Sequence, residues 1–234
     1  MPIEKSEVKR IVCLANSDKK GGRCIAGKEL INDQPAGWIR PVSIRPDEEV
    51  SEQECRYENG GCPQLLDIIY VPLLKKKPKP YQQENWLLDA GSCWRKDVCM
   101  YRQDLESLID PVGHLWLNGC ETFYGSNDKI PGHLVNYLEN SLRFIRVNKL
   151  TLSVVIYQYG ARRWPRVQGK FHYNGERYHL WVTDPKCKNT YLKKPHEDHE
   201  INNVYLTVSL AESNDRNYYK LIVAVITRDE TGRT

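Results

Sequence analysis

The 234-residue sequence reads as a mainly β chain, two small five-stranded barrels joined by a short helical connector. Three observations predict this. Apolar runs of strand length recur between clusters of Gly, Pro, Asn and Asp. The first ninety residues leave no room for the crossovers of about a dozen residues that a parallel sheet needs. In the middle third the apolar spacing turns helical, and strands return after it.

The first barrel is expected over 8–90. Its strands are "VKRIVCLA", "RCIAGKEL", "GWIRPV", "LLDIIYVPLL" and "YQQENWLL", with "KKKPKP" an exposed basic loop before the last. The connector is expected over 91–143. There "YRQDLESLID" places Leu105, Leu108 and Ile109 on one helical face, and "PGHLVNYLEN" does the same with Leu134, Tyr137 and Leu138. Pro111 and Pro131 interrupt that pattern. The second barrel is expected over 144–230, from "LRFIRV", "KLTLSVVIYQY", "GKFHY", "ERYHLWV", "NVYLTVSL" and "KLIVAVI". The halves share a pattern but no residue-level repeat.

Composition narrows the class. No apolar run approaches the roughly 18 residues of a membrane span, and "MPIEKSEVKR" has no apolar core of a secretory signal. A cytoplasmic protein with reduced thiols is therefore expected, its eight cysteines not forming a disulfide framework. Cys55–Cys62 and Cys93–Cys99 lack the short spacing of zinc sites. The neighbours of Cys93 and Cys99, Trp94 among them, predict core positions for both.

The net charge of +4 is modest, but residues 161–183 carry Arg162, Arg163, Arg166, Lys170 and Arg177 against Glu176 alone. That segment holds a charge equal to the whole chain's excess, which points to one acidic partner surface. A solvated basic loop is the plainer alternative. Asn174–Gly175 is a strong two-residue hairpin signal. It pairs Tyr173 with Glu176, Phe171 with Tyr178, His172 with Arg177 and Lys170 with His179. Side chains alternate across a ribbon. Phe171, Tyr173, Tyr178, Leu180 and Val182 therefore face a core, and Lys170, His172, Arg177, His179 and Trp181 face outward. An outward basic face meets a charged ligand, or serves solubility and edge protection. Arg162, Arg163, Trp164 and Arg166 are expected at the open end of the ribbon, offering phosphate-binding forks and a stacking plane. In "NSDKKGGRC", Lys19, Lys20 and Arg23 surround Gly21–Gly22, either a glycine turn or a phosphate cradle.

Five stretches resemble one family: "KRIVCLANSDKKGGRCIAGKEL", "GWIRPVS", "YQQENWLL", "LWLNGCETFYGSNDKI" and "FHYNGERYHLWVTDP". Their order is similar to the dual OB-containing domain family of prokaryotes, from about Lys9 to about Ile226. The resemblance implies two OB-like barrels, nucleic-acid binding and a place in prokaryotic immune or conflict systems. It brings no established catalytic residues. OB-folds bind oligonucleotides across strands 2 and 3. That adds Lys28, Trp38 and Arg40, with Arg23, as first-barrel candidates.

Catalytic signatures are missing. "PHEDHE" (195–200) is not His-Glu-x-x-His, and a surface acidic loop is expected there instead. No Gly-x-Ser-x-Gly is present. Asp128 and Asp184 are the carboxylates that a metal-dependent nuclease would draw on. The expectation is a non-enzymatic nucleic-acid-binding protein without metal or cofactor, of DNA or RNA. The alternatives are an adaptor for a companion protein in a defence complex and, behind it, that nuclease.

Overall fold

The computed structural model describes residues 6–195, 197–212 and 216–227. The chain forms two compact units, Met1–Leu108 and Ile109–Thr234.

In the first unit five strands close a ring: β1 (Glu7–Lys19), β2 (Gly22–Ile31), β3 (Gln34–Val42), β4 (Asp67–Lys76) and β5 (Asn85–Leu88). The order around it is β1-β2-β3-β5-β4, and β4 pairs back onto β1 from Glu7↔Leu73 to Val12↔Ile68. Only β3 and β5 run parallel. Two-residue turns join the first three strands, with positive φ at Lys20 (39°) and Gly21 (88°) and at Asn32 (51°) and Asp33 (61°). These are primed turns, whose twist suits a hairpin. A sixth strand, β6 (Arg95–Cys99), lies on the outer side of β4. The interior holds Ile11, Ile25, Ile39, Ile69, Val71, Leu73 and Trp94.

The second unit repeats this connectivity. Its ring is β8 (Leu142–Tyr159), β9 (Arg162–Tyr173), β10 (Glu176–Val182), β12 (Asn217–Ile226) and β11 (His199–Glu212). Closure is again through a parallel pair, Trp181↔Leu221 and Val182↔Ile222. β7 (Lys129–Pro131) pairs with β12. The core gathers Ile145, Leu150, Leu152, Phe171, Tyr178, Leu180, Leu206 and Ile222. Between β10 and β11 lies helix α2 (Pro185–Tyr191). Asp184 caps it, accepting from the Cys187 N–H at 3.0 Å, while its other oxygen takes the Val225 N–H at 2.9 Å. Two rings with one strand order, each a five-stranded OB-type barrel, bear out the expected mainly β, dual-barrel fold.

The differences are local. "LRFIRV" and "KLTLSVVIYQY" form the single strand β8, because Asn148 and Lys149 turn outward without breaking the pairing with β11. Opposite Asn148, Asn203 has positive φ (52°), and the register of the ladder is the same on either side of this pair. Segment 91–143 is less helical than its leucine spacing predicts. It holds β6, a 3₁₀ turn (Arg102–Leu108), β7 and a single helical turn, α1 (Gly132–Val135), and it is divided between the two units. Leu105 and Leu108 are buried, but Tyr137 is exposed. A stripe that short cannot sustain a longer helix without a packed face.

Lys220 is buried inside the second unit. Its ammonium donates to the Leu117 carbonyl (2.7 Å) and Asn118 Oδ1 (3.1 Å) beside the Tyr178 ring. Burial pushes its pKa down to about 7, against the opposing pull of Asp128. Between that value and the ordinary lysine range the unfolded chain binds the extra proton, so this group's contribution to stability rises with pH. The stability difference between wild type and Lys220→Met in urea should therefore shift in favour of wild type as pH increases from about 7 to about 10.

The hairpin register gives a second test. Phe171→Ala should cost about 3–5 kcal/mol, whereas Lys170→Ala should stay within about 0.5 kcal/mol. Equal costs in chemical denaturation would contradict the face assignment.

Candidate nucleic-acid interface

The Asn174–Gly175 turn has positive φ at both residues (48° and 84°). It sets the pairing Tyr173↔Glu176, His172↔Arg177, Phe171↔Tyr178, Lys170↔His179, Leu180↔Gly169 and Trp181↔Gln168. This is the register the sequence implies. Phe171, Tyr178, Leu180 and Val182 are buried, and Tyr173 packs against them with its hydroxyl donated to the Val112 carbonyl. His172 and Arg177 are exposed on the opposite face, with Lys170 and His179 half-buried beside them. β8 enlarges that face: Thr151 lies opposite Lys170, and Lys149 is one outward position further along.

Arg162, Arg163, Trp164 and Arg166 are not a loop at the end of the ribbon. They form the first half of β9, paired with Tyr159, Gln158, Tyr157 and Val155 of β8 across a two-residue turn at Gly160–Ala161. Beyond Val154↔Val167 both strands leave the barrel, and residues 155–166 are all half-buried or exposed. The alternation carries Arg162, Trp164 and Arg166 onto the same face as Lys170 and His172. Arg163 falls on the other face and hydrogen-bonds Gln158 Oε1 (3.0 Å).

Aromatic rings line the shared face. Trp164 packs edge-on against Tyr157 at 5.0 Å and is 39% exposed, so it can stack. Trp181 lies on this face but is not open, being only 8% exposed. Tyr124, Tyr157 and the Arg166 guanidinium (4.3 Å from the ring centre) cover it. Tyr124 comes from segment 119–128, which pairs with the edge of β10 through reciprocal Ser126–His179 backbone bonds. Neither this cover nor the pairing of Tyr157 with Trp164 was foreseen from sequence. The outward row Lys149, Thr151, Ser153, Val155, Tyr157 and the Gly160–Ala161 turn were the available signals.

Counter-charges separate the two units. In the first, Lys20 pairs with Asp47 (2.6 Å), and Arg23 with Asp18 (3.0 Å) and Glu52 (4.0 Å). Arg40 is buried against an equally buried Glu84 at 3.5 Å. Trp38 is buried with Lys28 over its ring. Arg40 and Trp38 are therefore interior residues, a correction to their expected place on a ligand face. Lys19 is half-buried, and burial pushes its pKa down. Gly21–Gly22 is a turn rather than a cradle. A Cβ on Gly22 would lie 2.7 Å from Glu49 Cγ and 2.8 Å from the Val50 carbonyl oxygen, so the glycine admits that segment.

In the second unit, no carboxylate among the described residues pairs with Arg162, Arg163, Arg166, His172 or Arg177. Arg166 makes no hydrogen bond among them either, and burial against Trp181 and Tyr157 lowers its pKa. Burial, then the charges of Arg177, Lys170 and His172, push the His179 pKa down, with Asp128 opposing. Unpaired cations on a half-desolvated face form an anion site.

The remaining candidates are structural. Asp184 serves α2 and β12, as described. Asp128 is buried and accepts from the Thr122 N–H (2.8 Å) and hydroxyl (2.6 Å). In "PHEDHE", Asp198 accepts from Ser153 Oγ, His199 and Glu200 begin β11, and His196 lies outside the described residues. No group of three or more potential metal ligands occurs among the described residues. None of the eight cysteines forms a disulfide. Cys93 and Cys99 are exposed rather than buried: Trp94, just before β6, turns inward beside Cys93, and every residue of β6 is exposed.

Arg40→Ala should destabilise the protein by about 3–5 kcal/mol, since it strands the Glu84 charge. Arg162→Ala should leave the melting temperature unchanged.

No curated protein matches the sequence. Among solved structures, a chain of a replication protein A heterotrimer bound to ssDNA is similar, with a TM-score of 0.35 and 11% identity. The likeness covers 98% of this chain and 52% of that one, so this chain spans about half its length. The dual OB-containing domain family matches residues 9–225, nearly the whole of both barrels and the segment between them. The chain belongs to the dual OB-containing domain family.

Proposed function

We propose that this chain is a non-enzymatic nucleic-acid-binding protein whose second barrel takes a single strand along the outer face of β8, β9 and β10. The observation that carries this is the row Arg162, Trp164, Arg166, Lys170 and His172 on one face of β9, with cations that the chain leaves largely unpaired. Guanidinium forks suit phosphate oxygens, and an exposed indole suits a base. The first barrel spends its matching cations on its own carboxylates, so it contributes little phosphate affinity. The non-enzymatic reading is supported by Asp128 and Asp184, whose oxygens already accept from backbone N–H groups and the Thr122 hydroxyl. Work within a prokaryotic defence or conflict system is what the family resemblance implies, a cytoplasmic place rests on the cysteine usage, and a companion protein belongs to the alternative adaptor reading. Phe123, 94% exposed at the edge of the aromatic face, is the natural anchor for such a companion.

Binding to a labelled single-stranded oligonucleotide should weaken linearly on a log–log plot against salt. Replacing Arg162, Arg163 and Arg166 with Ala should flatten that slope by roughly 0.7 for each phosphate no longer neutralised. A wild type that binds no oligonucleotide at low salt, or a triple variant with an unchanged slope, contradicts the proposal. In the same preparations, divalent-ion-dependent cleavage removed by Asp128→Asn would favour the nuclease instead.

A further inference from the structure

Resting on the nucleic-acid reading above, one end of the face is built differently from the rest. Where β8, β9 and β10 meet near the Asn174–Gly175 turn, a cavity of about 270 Å³ opens on the outer surface. Lys149, Lys170, His172, Arg177 and His179 converge on it with the Thr151 hydroxyl. His179 is held in place by its two backbone bonds to Ser126 (3.1 and 3.4 Å). Burial and the surrounding like charges lower its proton affinity, as they would in a cationic pocket awaiting an anion.

Carboxylates flank this pocket on its β11 side. Toward β11, Glu200 pairs with Lys149 (2.5 Å) and Asp198 with Lys170 (3.6 Å). A phosphodiester chain crossing the strands toward β11 would meet negative charge there. Along the ribbon, by contrast, Val154–Lys170 contains no acidic residue. A polyanion is therefore admitted more readily along the ribbon than across β11, with Asp198, on Ser153 and Lys170, at the junction. The two lysine pairs are exposed and rearrange at little cost. An internal phosphodiester carries one negative charge, whereas a phosphate monoester carries close to two near neutral pH. Five converging cationic or protonatable groups match the second better.

We propose that this pocket binds the terminal phosphate monoester of a nucleic-acid strand, whose chain then leaves along the ribbon past Arg166 and Trp164. The protein would thus read a strand end, not only a strand.

The test is a comparison of one oligonucleotide sequence carrying a 5′-phosphate, a 3′-phosphate or hydroxyls at both ends, measured by fluorescence anisotropy with an internal label. At least one phosphorylated form should bind on the order of tenfold tighter than the dihydroxyl form. Replacing His172 and Arg177 with Gln together should abolish that difference. Both side chains are exposed, so the fold should survive the change. Equal binding of all three forms with salt dependence intact overturns the end-recognition proposal alone. So does a double variant that keeps the full preference, or a free nucleoside monophosphate that competes as well as the phosphorylated strand. No salt-dependent binding by any form overturns the nucleic-acid reading itself.

Discussion

Closing a sheet of only five strands into a ring constrains everything else in this chain. Each strand must turn one row of side chains inward, and the parallel pair that completes each ring fixes where the third and fifth strands end. In the second unit that pair is Trp181↔Leu221 and Val182↔Ile222. The ring has a limited height, and β8 and β9 are longer than it can use. Past Val154↔Val167 their excess becomes a two-stranded ribbon with two open faces. A ribbon outside a barrel has no core to fill, so it is free to carry arginine and tryptophan. The candidate face is thus the overrun of a packing requirement.

What distinguishes the two barrels is local charge balance rather than architecture. Both have the same strand order, and both carry arginines and lysines on β1–β3 or β8–β10. In the first unit those cations meet carboxylates: Asp47 from a loop at Lys20, Asp18 across the hairpin and Glu52 from a loop at Arg23, and Glu84 at Arg40. In the second, the segment that folds back over β10 brings Tyr124 and Ser126. It covers Trp181 and orients His179, but it supplies no ion-pair partner to Arg166 or Arg177. One duplicated topology therefore yields one self-neutralised surface and one that keeps its positive potential.

Much of this was open to reading from sequence because the relevant physics is local. Asn174–Gly175 accepts positive φ, and that one turn fixed the register of β9 and β10, dividing Phe171 and Tyr178 from His172 and Arg177. Strand existence followed from period-two patterning between Gly, Pro and Asn breaks. Helix length in 91–143 was overread because the leucine spacing says nothing about whether a packed face exists. Trp181 is covered on the face where alternation puts it, and Cys99 is exposed despite its apolar neighbours. Alternation gives the side of a ribbon a residue occupies, and not what covers that side.

The sequence by itself determined the strands, the hairpin register and the concentration of charge between Arg162 and Arg177, since turn geometry and side-chain alternation act over a few residues. Only the tertiary structure decided which cations are available. Arg40 and Arg166 look alike in the chain, each beside an aromatic residue or two. One is buried against Glu84, 44 residues away, and the other lies on Trp181 with no carboxylate among the described residues paired to it. That difference depends on which distant segments closure brings together, and no local pattern carries it.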